Sequence, residues 1–102
     1  MTNAQNIRTT IAQLMREKQE FEPALKEAKE QYSLTYERVL VWEEAYTTSG
    51  EDEAVGQKLD KAYDEYSEAD KALCEAEGKA EAIKEAIKAL HKAAEAIEWL
   101  DL

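Results

Sequence analysis

The sequence predicts an all-α protein that folds as one long antiparallel helical hairpin of the coiled-coil type. Three observations carry this prediction. Ala, Glu and Lys dominate a chain of 102 residues with one proline and three glycines, a composition typical of long helices. Apolar residues recur at a spacing of four and three in both halves, and a single turn-forming segment separates the halves. At this length we expect a single domain, residues 1–102.

The apolar repeat is continuous in each half of the chain. Thirteen positions per half follow the spacing, and eleven of them are apolar in the first half and all thirteen in the second. A repeat of about 3.5 residues kept over this length is the pattern of coiled-coil helices. We call these positions the seam. In the first half they are Ala4, Ile7, Ile11, Leu14, Lys18, Phe21, Leu25, Ala28, Tyr32, Thr35, Val39, Trp42 and Tyr46. In the second half they are Val55, Leu59, Ala62, Tyr66, Ala69, Leu73, Ala76, Ala80, Ile83, Ile87, Leu90, Ala94 and Ile97.

One segment between the halves carries the signals that end one helix and begin the next. Gly50 can adopt the left-handed conformation that terminates a helix, and Ser49 or Asp52 can cap the helix that follows. The sequence therefore predicts a helix over residues 3–47, a turn over 48–52 and a second helix over 53–99. A connection this short makes the two helices antiparallel neighbours.

The two halves of the seam also predict the register of the hairpin. Tyr46 and Val55 flank the turn, and their position numbers add up to 101. Every other seam residue has a partner with the same total. Several layers place a large residue opposite a small one, such as Phe21 opposite Ala80, and facing helices fill space in this way.

Pro23 and Gly78 both weaken helices, and both fall at outward positions at the same level of the predicted hairpin. The repeat runs unbroken through Pro23, so we expect a bend shared by the two helices. Two sharper alternatives stay open at this point. The level could be a functional hinge, or a true break that divides the hairpin into three or four shorter helices.

Composition and charge restrict the class of function. The net charge of −10 argues against nucleic acid or an anionic membrane as a direct ligand and favours a protein partner with a basic surface. No apolar stretch approaches the about 20 residues of a membrane span, and the first ten residues lack an apolar signal core. The single cysteine, Cys74, cannot form an internal disulfide, which favours a reducing, cytoplasmic setting.

Residues suited to catalysis are few. His91 is the only histidine, and both His91 and Cys74 fall outside the seam with no reactive partner near them in the predicted hairpin. The sequence has no glycine-rich phosphate loop, Cys/His metal spacing or EF-hand loop. Carboxylates on exposed helix faces stay ionised and do not serve as acid catalysts. We therefore expect no catalytic residue, no metal, no cofactor and no enzyme activity.

Negative charge concentrates around the turn. Residues 43–77 contain twelve acids and three bases, which accounts for nine of the ten net negative charges. Such a surface would steer the protein toward a basic partner, although a solvated face that only confers solubility is the open alternative. We call it the acidic tip. Its predicted binding residues are Glu43, Glu44, Glu51, Asp52, Glu53, Asp60, Asp64, Glu65, Glu68, Asp70 and Glu75.

Some large apolar side chains fall outside the seam. Leu34, Leu40 and Val41 cluster on the outer side of the first helix, and Tyr36 and Tyr63 flank the seam. Clustered exposed apolar and aromatic residues are typical of interfaces. A lone hairpin has a thin margin of stability, so we expect this apolar patch to mediate homo-oligomerisation, for instance into a four-helix bundle, or to bind a partner.

These features predict a non-enzymatic interaction module that binds a protein target. One alternative is a DNA-mimic inhibitor, whose acidic tip would take the place of phosphates on a nucleic-acid-binding enzyme. Small acidic phage proteins of the anti-restriction and anti-CRISPR type act in this way, and the analogy rests on size and charge alone. A structural scaffold rod is the other alternative. Mimicry predicts binding that weakens steeply with salt, whereas an apolar interface predicts little salt effect.

Overall fold

A computed structural model of the protein describes residues 2–100, and over these residues it consists of two helices joined by one turn. Helix α1 spans Asn3–Thr48 and helix α2 spans Glu53–Leu100. The two helices form an antiparallel hairpin, so the all-α fold class predicted from the apolar repeat is confirmed. Each helix ends one residue later than the sequence predicted.

The turn between the helices contains two consecutive residues with left-handed backbone. Gly50 has φ 69° and Glu51 has φ 66°. Glycine adopts this region at no steric cost, so Glu51 is the strained position. The N–H of Glu51 donates to the carbonyl oxygen of Tyr46 at 3.0 Å and closes α1. Asp52 then caps α2, because its Oδ1 accepts from the N–H of Ala54 at 2.8 Å and from the next N–H at 3.2 Å.

The core of the hairpin lies along the seam. Every side chain that is buried in the described residues occupies a seam position, and the remaining seam residues are half-buried except Lys18, which is exposed. Thr35 is the polar member of the buried set. Its hydroxyl donates to the carbonyl oxygens of Gln31 and Tyr32, both at 2.9 Å, so its polar group is satisfied within α1. The buried residues are Ala4, Ile11, Thr35, Val39, Leu59, Ala62, Ile83 and Ala94.

Contacts between the helices agree with the predicted register. The position numbers of contacting residues add up to values between 98 and 106, on both sides of the predicted 101. A hairpin shifted by one heptad would have a total seven higher or seven lower than 101. All the observed sums would then lie below the higher total or above the lower one, and none on its other side. These contacts join Arg8 with Glu98, Phe21 with Lys79, Tyr32 with Tyr66, Trp42 with Lys58, and Glu43 with Tyr63.

Contacts within the hairpin group into two units. The distal unit, Ala24–Ala76, contains the turn and the adjoining parts of both helices, and the terminal unit contains the helical residues before and after it. The boundary falls next to Pro23 and close to Gly78. Because α1 continues as helix through Pro23 and α2 through Gly78, the predicted alternative of a break into three or four helices is wrong. A bend or hinge at this level stays a prediction.

Candidate protein-binding surfaces

Exposed apolar side chains are concentrated in the distal unit. Five of the eight large apolar residues that are exposed in the described part of the chain lie there, and they are the five residues of the predicted apolar patch. Their exposed fractions range from 43% for Tyr63 to 62% for Val41. The distal unit therefore leaves accessible the kind of surface that interfaces use.

One edge of the distal unit carries tyrosines and carboxylates. The hydroxyl of Tyr63 on α2 donates a hydrogen bond to Oε1 of Glu43 on α1. This hydrogen bond raises the pKa of Tyr63 above its ordinary value, and partial desolvation and the charge of Asp60 act in the same direction. Tyr36 lies one heptad before Glu43 and so falls on the same side of α1. We call Tyr36, Glu43, Asp60 and Tyr63 the tyrosine edge.

A second surface of the distal unit collects positive charge. Arg38, Lys58 and Lys61 line a shallow groove together with Trp42 and Glu65. The Nζ of Lys58 lies 5.0 Å from the centre of the Trp42 ring, within the range of a cation–π contact. Arg38 Nη1 lies 3.6 Å from Glu65 Oε2 in an exposed ion pair. We call these five residues the cationic groove.

Helix geometry places the cationic groove and the tyrosine edge on opposite sides of the distal unit. Each residue of an α-helix rotates by about 100°, so residues two positions apart point about 200° apart at nearly the same height. Three pairs of residues that are two positions apart have one member in each surface. These pairs are Tyr36 with Arg38, Lys58 with Asp60, and Lys61 with Tyr63.

The exposed aliphatic residues divide between these two surfaces. Leu34 lies four residues before Arg38 and Val41 three residues after it, so both border the cationic groove. Leu40 lies four residues after Tyr36 and borders the tyrosine edge. The residues that the sequence grouped as one apolar patch are therefore distributed over two sides of the unit.

The carboxylates of the predicted acidic tip fall into two groups. Four of them contact other parts of the chain: Glu43 accepts a hydrogen bond across the hairpin, Asp52 caps α2, Glu65 lies beside Arg38, and Asp70 makes a weak 4.0 Å contact with Cys74. The other seven are exposed, and in the described residues their side chains make neither an ion pair nor a hydrogen bond. They are Glu44, Glu51, Glu53, Asp60, Asp64, Glu68 and Glu75.

The distal unit carries most of the negative charge of the protein. It contains fourteen acids and six bases, a net charge of −8 out of −10 for the chain. Three of those six bases, Arg38, Lys58 and Lys61, lie together in the cationic groove. Sequence reasoning counted these bases without seeing that they meet. The predicted register could have revealed it, because all three residues flank the same side of the seam.

A cluster of tyrosines joins the two helices inside the distal unit. The hydroxyls of Tyr32 and Tyr66 lie 2.8 Å apart and their ring centres 5.3 Å apart, while the Tyr36 ring centre lies 5.9 Å from that of Tyr66. The hydrogen bond with Tyr32, helped by desolvation, raises the pKa of Tyr66 to about 12. Sequence reasoning missed this pair because it compared only directly facing positions, and Tyr32 and Tyr66 belong to adjacent layers.

Among residues 2–100, no group of three or more His, Cys, Asp or Glu side chains is arranged to hold a metal ion. Cys74 and His91 are both exposed. In the same part of the chain, neither helix combines the length and the apolar character needed to cross a membrane.

Comparisons of the chain with protein-family models, with curated proteins and with solved structures give no significant match.

Proposed function

We propose that this protein is a non-enzymatic, cytoplasmic module that binds a protein partner with a basic surface through its distal unit. The observation that carries the proposal is the coincidence of charge and apolar exposure in one unit. The distal unit has a net charge of −8 and holds five of the eight exposed large apolar residues. Charge of one sign steers a complementary partner, and exposed aromatic residues supply the contact area that holds it.

The exposed carboxylates are well suited to contact such a partner. Glu43 and Asp52 each have one carboxylate oxygen engaged in internal hydrogen bonds, which leaves the other oxygen for a partner. The seven exposed carboxylates have both oxygens available, because they make no internal polar contact in the described residues. All seven lie on helices or in the turn that joins them, so little chain entropy would be lost on binding.

A DNA-mimic inhibitor is the second candidate, and the excess of exposed carboxylates in the distal unit favours it. The cationic groove argues against a DNA mimic that uses every side of the distal unit, because Arg38, Lys58 and Lys61 interrupt the negative surface on one side. Imitation of phosphates would therefore involve the remaining sides of the unit.

The proposal is tested by reversing exposed charges and measuring partner capture. A distal variant carries Asp64, Glu68 and Glu75 changed to Lys, and a matched terminal variant carries Glu81, Glu85 and Glu95 changed to Lys. All six residues are exposed helical positions outside the seam, so both variants should keep the helicity of the wild type. Each protein is used as bait in host extract at low and at high salt, and captured proteins are quantified by mass spectrometry.

We expect a basic protein that the wild type and the terminal variant capture and the distal variant loses. The loss should be largest at low salt, where screening is weakest. Equal capture by both variants, or loss with the terminal variant alone, would contradict the proposal. A captured nucleic-acid-binding enzyme, released steeply by salt, would favour the DNA-mimic candidate over the general one.

A further inference from the structure

The cationic groove has no role in the binding of a basic partner. Three cations line one groove in a unit that is otherwise strongly negative, and only Glu65 among the lining residues opposes them. Like charges at close range repel each other, so the grouping costs stability when nothing further neutralises it. An acidic surface placed in the groove would remove that cost.

We propose that the cationic groove of one molecule binds the tyrosine edge of a second copy of this chain. The charges are complementary, because the tyrosine edge presents Glu43 and Asp60 and the groove presents Arg38, Lys58 and Lys61. Interfaces of this kind gain specificity and orientation from opposed charge.

The apolar parts of the two surfaces also match. Leu34 and Val41 border the groove, and Leu40 and Tyr36 border or form the tyrosine edge. Their exposed fractions lie between 45% and 62%, so each has area left to bury. The rings of Tyr36 and Tyr63 could also receive the cations of the groove in the geometry that Lys58 already makes with Trp42.

The positions of the two surfaces determine the kind of assembly. They lie on opposite sides of the distal unit at nearly the same height along the helices. A second copy displaced sideways therefore brings its edge against the groove without sliding along the helix axis. Such a contact joins two different surfaces and leaves one of each free, so association continues beyond the dimer unless a ring closes. A symmetric pairing of one surface with itself would stop at two copies.

The test uses two charge-reversal variants of the full chain, studied by sedimentation over a range of concentrations. The groove variant is Arg38→Glu with Lys61→Glu, and the edge variant is Glu43→Lys with Asp60→Lys. The average mass of the wild type should rise above 11.6 kDa with concentration and show no plateau at two copies. Each variant alone should lose this rise, because its groove and its edge then carry charge of the same sign.

Mixing the two variants should restore association. The acidic edge of the groove variant fits the unchanged basic groove of the edge variant. The reversed, acidic groove of the groove variant fits the reversed, basic edge of the edge variant, so both kinds of contact become favourable again. The net charges are −14 for the groove variant and −6 for the edge variant, given two reversals from −10 in each. Because both variants are negatively charged, they repel each other overall. A rise of the average mass on mixing therefore cannot come from a general attraction between oppositely charged proteins.

Controls separate this result from misfolding and from partner binding. Lys88→Glu with Lys92→Glu gives the same −14 at exposed positions of the terminal unit and should associate like the wild type. If Glu43→Lys lowers the helical signal in circular dichroism, Asp60→Lys alone replaces the edge variant. The groove variant should still capture a basic partner, so the two proposals fail separately. A wild type that stays at 11.6 kDa, a plateau at two copies, or a mixture without recovery would each overturn the inference.

Discussion

At the residue level, the hydroxyl pair of Tyr32 and Tyr66 places a polar contact in a seam that is otherwise almost wholly apolar. The 2.8 Å separation of the two hydroxyls connects α1 to α2. A polar group at one layer of a helical pair favours the arrangement that satisfies it over arrangements that do not. The pair therefore helps to specify the register as well as to stabilise the hairpin.

Alkaline pH should weaken the fold through this tyrosine pair. The pKa of Tyr66 is raised from 10.0 to about 12 in the folded protein, so the unfolded chain loses its proton first. The resulting stability is fully present below pH 10 and is lost as the pH rises toward about 12. The raised pKa of Tyr63 acts with the same sign. Urea unfolding on both sides of pH 10 measures the loss.

Tyr66→Phe should reduce this loss of stability at alkaline pH, because it removes the titrating hydroxyl. Tyr46→Phe is the control for the general effect of removing a phenol, and it should lose stability with pH about as the wild type does. If Tyr66→Phe and the wild type lose the same unfolding free energy between the two pH values, the pair does not contribute as stated.

The cap of α2 gives a second prediction for a single residue. Asp52→Ala removes the oxygen that accepts two backbone N–H groups at 2.8 and 3.2 Å, and should lower the unfolding free energy by about 1 kcal/mol. Asp52→Asn keeps an acceptor oxygen at the same place and should cost less. Denaturant midpoints for the three proteins provide the measurement, and equal midpoints for the two variants would argue against the cap.

The sequence could not assign separate roles to the eleven carboxylates of the acidic tip. Charge counting treats Glu43, Asp52 and Glu65 as equal to their neighbours, because their partners are distant in sequence or are backbone groups. Asp52 was the exception, since its position before a helix predicted capping as well. The remaining assignments require side-chain positions, which no repeat supplies.

At the level of the helices, the seam was predictable almost completely. Side chains that recur every three or four residues lie on one stripe, and that stripe must be buried against the other helix. Lys18 interrupts the stripe and is exposed, whereas Thr35 is accepted in it because its hydroxyl bonds within α1. Burial thus followed the position in the repeat. Polarity mattered only for Lys18 and Thr35, of which the charged residue is exposed and the internally hydrogen-bonded residue is buried.

Cross-linking tests the register directly. In a Cys74→Ser background, cysteine pairs at Leu14 with Ile87 and at Leu25 with Ala76 should cross-link within one chain, because each pair occupies facing seam positions. Leu14 with Ala94 is shifted by one heptad, about 10 Å along the helix, and should not cross-link. Mass spectrometry of the oxidised proteins identifies the products. Efficient linkage of the shifted pair would show that the register is wrong.

Pro23 lies inside α1 although proline disfavours the interior of a helix. An interior proline removes one backbone hydrogen bond and costs about 3 kcal/mol, so a break was a reasonable alternative. Helix α1 nevertheless continues through Pro23, which is exposed and outside the seam. The packing of the stripe on either side outweighs the local preference of one residue.

At the level of the whole molecule, the candidate surfaces were only partly predictable. The exposure of the five apolar residues follows from their positions outside the seam of the repeat, and the excess of acids near the turn follows from the count of charged residues in the sequence. The cationic groove does not follow so simply. It combines Arg38 from one helix with Lys58 and Lys61 from the other, so it exists only once the register and the direction of each flanking position are known.

The division into two units has a consequence for the order of events during synthesis. The distal unit is one continuous segment, Ala24–Ala76, whereas the terminal unit joins the start of α1 to the end of α2. When Ala76 has just been added to the growing chain, all residues of the distal unit have been made, but Ile7 and Ile11 still lack the residues that face them in the predicted register. Those residues are Ala94 and Leu90, and the later of them is added after another 18 residues. At about 5–20 residues per second this takes roughly one to four seconds, during which the apolar stripe in the first turns of α1 has no helix to pack against.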